Sequence, residues 1–418
     1  MKKLFAILLA LAILFSFAAC GEDTQQETTE ATTETTIQPT EPKELTEEEK
    51  ILAARRDLVE QKMRESVTFL WRAGEDITYT VDDTTFYVEA GKLYSGVPYA
   101  FGAGTVNDML EFAGEPDENG IYTISGLTAE AMRSGSGHCR IGNDCSSAVL
   151  LAWSYISDTC TAGRSRMMHQ KYGVYPVGDY MLDVEGDEML ITGETILANG
   201  KDAIYKAYTQ VQKGDAIVCH NGQKNHARMV VDVSVEYNED GTINPAKSYI
   251  STLEQSRTFF GNTYESEELG ETVHVIGGVD TKYPFNVLVR DNYIPLTCTE
   301  LRDASVELAE PELTDSETQL TKDTIFTGTI TCNRKMDMMT MTISDAEGNI
   351  IQQEKVFHPD RYTVERKFEL QQFVTDLPEI SVGSVDIAAL ASGNYHCTVL
   401  CRLTTGEELV ARDFDFAV

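Results

Sequence analysis

The sequence predicts two folded units of different class: an α+β domain entered through a long helix, and an all-β sandwich behind it. Three observations carry this. A capped, periodic stretch begins at Thr46; a short apolar helix beginning at Cys145 is followed, after residue 211, by three strand-like runs; and from residue 322 strands recur at sandwich spacing with no helical pattern between them.

The first residues belong to neither unit. Met1, Lys2 and Lys3 precede an apolar run from Leu4 to Phe17 and the small residues Ala18 and Ala19. A positive start, a short apolar stretch and small residues before the cut make an export signal, too short to span a bilayer. Cys20 closes residues 1–20 in a setting that resembles the lipobox of bacterial lipoproteins, although Phe17 stands where Leu is usual. The resemblance implies a lipid on Cys20 and an extracytoplasmic protein held to the cell membrane. Residues 21–44 are mostly Thr, Glu, Gln and Pro, with almost nothing to bury, and read as a disordered stalk. Across the 418 residues, 67 acidic side chains face 34 basic ones, a net charge of -33. Phosphates would be repelled, so nucleic acid is excluded as a partner; nothing in the sequence indicates an oligomeric state.

Residues 45–298 form the first predicted domain. Thr46 and Glu49 have the form of a capping box, and Ile51, Leu52, Leu58, Val59, Met63, Val67 and Leu70 follow at helical intervals. A helix from about 47 to 70 is expected, packed on the domain rather than engaged in chemistry. Tyr79, Val81, Phe86 and Val88 give 78–89 strand character. Next, the glycines around Gly96-Val97-Pro98-Tyr99 and up to Gly104 make a loop that can present the ring and hydroxyl of Tyr99 together; a plain turn with an aromatic plug would have the same sequence.

Gly142, Asn143 and Asp144 then form a turn leading into Cys145 and the apolar positions Ala148, Val149, Ala152, Trp153 and Ile156. Cys145 falls on the first turn of a buried helix, where unpaired N–H groups and the helix dipole favour a thiolate. That makes it a nucleophile candidate, the alternative being a small buried cysteine beside an Asp cap. Residues 159–206 show no clear element. Lys213-Gly214-Asp215 is turn chemistry feeding a strand to Cys219; His226 stands at the first position of a second strand; and a third, 248–253, runs into Glu254-Gln255-Ser256. If the three are neighbours in an antiparallel sheet, His226 lies beside Glu254 or Gln255, and a helix packed on that sheet brings Cys145 to His226. His226 is preferred as the base over His220, which ends the preceding strand and faces a loop. No His and Cys pairing has the spacing of a zinc site, so neither metal nor cofactor is expected.

Taken together, Gly96-Val97-Pro98-Tyr99, Asp144-Cys145-Ser146-Ser147, Lys213-Gly214-Asp215 and His226 resemble the NlpC-type papain-like cell-wall hydrolases in order and approximate spacing, and Glu254-Gln255-Ser256 is similar to the Glu-Gln-Asn of their CHAP relatives. The resemblance covers residues 93–257. It implies a papain-like fold and a cysteine peptidase or amidase that hydrolyses amide bonds in peptidoglycan peptides without a metal. Cys145 would attack, His226 would move the proton, and Glu254 or alternatively Gln255 would hold the imidazole. The amide of Cys145 would bind the oxyanion, and Tyr99, Asp144 and Ser146 would lie on the substrate side. Ser256 departs from the CHAP pattern. Two other readings are a catalytically inactive surface-binding lipoprotein and a transglutaminase-like cysteine enzyme using Cys139, since Ser136-Gly137-His138-Cys139-Arg140 resembles the Gly-x-Cys-Arg of those proteins.

Residues 299–321, acidic and with Pro311, read as a linker. Residues 322–418 read as an immunoglobulin-like sandwich, with strands over 325–332, 339–343, 364–370, 395–401 and 409–418, that serves as a spacer or binding surface. Tyr395 two residues before Cys397 has the form of a tyrosine corner. Cys332 is expected across the core from Cys397 or Cys401, disulfide-bonded or as buried thiols. With Cys20 and Cys145 set aside, seven of the nine cysteines remain, an odd number that leaves at least one unpaired.

Overall fold

Thr46 opens the first helix as the capping box predicts: its Oγ1 accepts the Glu49 N–H at 3.2 Å, and Glu49 Oε2 accepts the Thr46 N–H at 2.7 Å. The computed structural model describes residues 44–127, 141–157, 167, 170–182, 184–185, 188–189, 193–220, 225–315, 329–334, 336–357, 366–369 and 381–418. The signal, Cys20, almost all of the stalk, and Cys139 lie outside these residues. From residue 45 the chain is one unit of mixed α and β, with sheets predominating. No helix among the described residues is long and apolar enough to cross a membrane.

Helix α1 (Glu47–Thr68) ends two residues before Leu70, because Phe69 leaves helical geometry and Leu70 opens strand β1 (Leu70–Ala73). Trp71 is the reason: it is fully buried in a second core and its indole N–H donates to Gly96 O at 2.9 Å. Where one strand was expected, β2 (Ile77–Val81) and β3 (Thr84–Val88) form a hairpin, turned at Asp82 with φ 53°. Strand β4 (Leu93–Ser95), helix α2 (Val106–Leu110) and β5 (Tyr122–Ile124) lead to helix α3 (Cys145–Trp153), all nine residues of which are buried. The stretch on which the sequence was silent holds β6 (Val174–Pro176), β7 (Val184–Glu185), β8 (Glu188–Met189), α4 (Gly193–Asn199) and α5 (Lys201–Tyr208).

Then come the three expected strands, β9 (Ala216–His220), β10 (Asn225–Ser234) and β11 (Tyr249–Gln255). They are followed by β12 (Asn262–Ser266), β13 (Glu271–Val275), β14 (Gly277–Pro284), α6 (Phe285–Arg290) and β15 (Ile294–Cys298). Strands β9, β10 and β11 are antiparallel neighbours in a six-stranded sheet of order β14-β11-β10-β9-β15-β6. Helix α3 lies against β10 and β11, and Val59, Met63 and Val67 of α1 share its core. A second, mixed sheet runs β12-β13-β4-β1-β5.

Beyond these, the described residues form two sheets, β16 (Leu313–Asp315), β17 (Thr329–Cys332) and β20 (Arg366–Glu369) in one, and β21 (Ser381–Ser384), β19 (Ile350–Phe357), β18 (Met336–Asp345), β22 (Asn394–Leu403) and β23 (Glu408–Ala417) in the other. Strand β16 falls inside the stretch expected to be linker and pairs with β17, so the second module begins earlier than its composition suggests. Tyr395 OH donates to Ala391 O at 2.9 Å, the bond a tyrosine corner makes. Cys332, Cys397 and Cys401 share one core cluster with no disulfide among them, which corrects the disulfide alternative. Burial, and then the neighbouring Cys332, push the Cys401 thiol up to about 12.

The second module is latched to the first rather than strung from it. Arg402, 7% exposed, donates to Asp337 Oδ1 on β18 at 2.9 Å, to Asp108 Oδ1 on α2 at 3.0 Å and to Glu111 Oε1 at 2.8 Å. Behind α3, Tyr155 OH donates to Thr404 O in the β22–β23 turn at 3.0 Å.

Candidate active site

Gly142 sets the entry to α3. Its φ is +107°, and a Cβ there would stand 2.7 Å from Pro98 O and 2.9 Å from Ala100 Cβ. Asn143 donates its N–H to Pro98 O at 3.1 Å and accepts the Ala100 N–H at 3.1 Å, which stitches the Tyr99 loop to the nucleophile loop. Gly142→Ala is therefore expected to destabilise the chain by about 1–3 kcal/mol, read as a lowered denaturation midpoint. A midpoint equal to the parent's would show that the two loops separate without consequence.

Asp144 caps the helix. Its Oδ1 accepts the Ser146 and Ser147 N–H groups, both at 2.9 Å, and the Ser146 hydroxyl at 2.8 Å. The polar atoms of Asp144 and Ser146 thus serve the helix start, while the Cys145 N–H is not part of the cap. Cys145 keeps 9% of its surface exposed, and the backbone N–H groups of Ala227 and Ser146 lie near enough to favour its ionised form. Burial, then the Asp144 carboxylate, push its thiol up to about 12, against the two N–H donors. This reverses the thiolate expected from the helix dipole: the cap that fills the helix N-terminus is itself an anion beside the sulfur. Tyr99 is buried nearby, and its hydroxyl is held protonated by burial and then by the proximity of Cys145 and Asp144, with Arg257 opposing.

His226 is the second residue of β10, next to Ala227, whose backbone lies near the Cys145 thiol. Its Nε2 is 2.6 Å from Glu254 Oε2. Glu254, 1% exposed, also accepts the Arg228 Nε–H at 2.8 Å and, on Oε1, the Tyr283 hydroxyl at 2.5 Å. Burial would raise its pKa, but His226, Arg228 and Tyr283 outweigh this and bring it to about 2. Gln255 points the other way, as strand alternation requires, and donates Nε2–H to Val97 O at 2.6 Å. Of the two candidate orienters, only Glu254 reaches the imidazole. His220 Nδ1 instead meets Asn225 Oδ1 at the end of the β9–β10 pair.

The depressed Glu254 acid has a consequence for stability. Its contribution is complete above the ordinary value near 4.5 and is withdrawn as pH falls towards 2. Stability of the parent is expected to fall more steeply over that interval than stability of Glu254→Gln. Parallel pH profiles of the denaturation midpoint would refute this.

The Lys213-Gly214-Asp215 motif holds the frame. Gly214 O accepts the Trp153 indole N–H at 2.8 Å; buried Asp215 accepts Arg56 Nη1 at 3.0 Å and Thr297 Oγ1 at 2.6 Å, tying α3, α1 and the sheet together. Residues that the sequence reading passed over are Arg228, Tyr283 and Tyr293. The Arg228 guanidinium carbon lies 3.8 Å from the Tyr283 ring centroid and 4.4 Å from that of Tyr293. The available signal was spacing: Arg228 is two residues beyond His226 on one strand and shares its face. Among the described residues, no group of three or more His, Cys, Asp or Glu is placed to hold a metal ion. No protein-family model, curated protein or solved structure matches this chain.

Proposed function

We propose that this chain is a cysteine hydrolase of papain-like fold, similar to the NlpC-type enzymes, that cleaves amide bonds in peptidoglycan peptides outside the cell membrane, held there by a lipid on Cys20. The observation that carries it is the packing of α3 on β10, which sets Cys145 near Ala227, the next residue after a His226 whose Nε2 is bound to buried Glu254. That is the order nucleophile, base, orienter. Cys145 attacks the carbonyl, His226 Nδ1 takes and returns the proton, Glu254 fixes the tautomer, and the Cys145 N–H with Tyr99 receives the oxyanion. Asp144 and Ser146 act through the cap rather than on substrate. The immunoglobulin-like reading of the second module is supported by the Tyr395–Ala391 bond.

The second reading, a catalytically inactive surface-binding lipoprotein that grips glycan or a partner, is favoured by the burial and raised pKa of Cys145. Incubating the protein with isolated walls separates the two. Mass spectrometry of released muropeptides, compared with Cys145→Ala, is expected to show cleaved peptides only with the parent; walls retained intact with bound protein would leave the binding reading.

A further inference from the structure

We propose that Arg228 is a positioning residue that cancels the charge of Glu254 at the imidazole, so that the site rests as a thiol beside a neutral imidazole rather than as a thiolate–imidazolium pair. This rests on the assignment of Cys145 and His226 as nucleophile and base. The geometry is specific. One oxygen, Glu254 Oε2, accepts both the His226 Nε2 contact at 2.6 Å and the Arg228 Nε–H at 2.8 Å, which holds the guanidinium against the imidazole as a like charge. Arg228 has little freedom to leave, being 7% exposed and clasped between the Tyr283 and Tyr293 rings.

Among the described residues, Cys219, Tyr293, Tyr283 and Asp144 do not restore the missing charge at the imidazole. Cys219, directly across from His226 on β9, is a buried thiol; Tyr293 turns its ring edge-on at a centroid distance of 6.5 Å; Tyr283 spends its hydroxyl on Glu254. Asp144 is the one other carboxylate on α3 at this end, and it is engaged by the two amides it caps. A bare carboxylate would favour an imidazolium; a carboxylate paired with arginine favours it far less. Attack then proceeds by general base catalysis. The S–H proton passes to His226 Nδ1 as the S–C bond forms, and the carbonyl π pair moves onto oxygen, so charge develops during the step instead of preceding it.

Two measurements test this without substrate. In the unaltered protein, alkylation of Cys145 by iodoacetamide, resolved by peptide mass spectrometry, is expected to climb through the alkaline range with no acid plateau. A plateau already reached by about pH 5, the signature of a preformed thiolate, would overturn the proposal. By NMR, the His226 ring in Arg228→Gln is expected to titrate about one to two pH units higher than in the parent, with Arg228→Lys returning it towards the parent value. An unchanged His226 titration in a folded Arg228→Gln would also overturn it, and if that variant does not fold, the alkylation profile decides alone. Wall cleavage with neither signature refutes the charge assignment only; both signatures without wall cleavage refute the hydrolase.

Discussion

Replacing Cys145 by Ala is expected to reduce release of muropeptides from isolated walls by about four to six orders of magnitude, the loss seen when one member of a working triad is removed. The substitution leaves the rest of the site standing. The Asp144 cap uses the amides of Ser146 and Ser147 and not the sulfur, and the His226–Glu254–Arg228 cluster is built from β10 and β11 without it. The denaturation midpoint of Cys145→Ala should therefore stay within about 1 kcal/mol of the parent, since one sulfur and its N–H contacts are all that is lost. Activity and stability separate in this variant, which is what marks a reacting atom. His226→Ala should match it in activity, because nucleophile and base fail as a unit. A Cys145→Ala protein retaining a tenth of parental cleavage would dismiss this sulfur as the nucleophile.

How far the site was legible depended on whether the deciding force acts locally. The capping box at Thr46, the Asp144 cap and the strands around His226 are local matters of hydrogen bonding and hydrophobic period, and the structure agrees with the sequence on each. The choice between Glu254 and Gln255 could not be made from two adjacent polar residues. It follows from which face of β11 meets β10, and that is set by the register with Met229 and Val230. The raised pKa of Cys145 is hidden from the sequence for a similar reason. The helix dipole is visible in sequence, whereas the burial of the sulfur and the use of that dipole by Asp144 arise only on packing. Residues 313–315 read as linker from the acidic composition around them, whereas pairing with β17, a tertiary contact, makes them a strand.

Removing the guanidinium of Arg402 should have the largest effect on stability of any single change in the second module. Arg402 holds Asp337 of β18 together with Asp108 and Glu111 at α2, the last shared with Lys355 of β19, and both aspartates are fully buried. Arg402→Ala withdraws the cation and leaves those carboxylates in a low-dielectric setting, where removing one partner costs about 3–5 kcal/mol. The damage reaches α2 directly, since Asp108 also closes that helix's capping box with Thr105. The measurement is the chemical denaturation midpoint, with the double variant Arg402→Ala, Asp337→Ala as its companion. If the loss is that of an uncompensated buried charge, removing Asp337 as well should restore part of the stability, because the anion goes with its cation. Simple addition of the two losses would instead mean that solvent reaches the cluster and that the module is merely tethered. The same double variant connects this latch to the candidate site. Tyr155, just beyond the end of α3, is bonded to Thr404 two residues past Arg402, so a module that swings free gives up a support on the far end of the helix that carries Cys145.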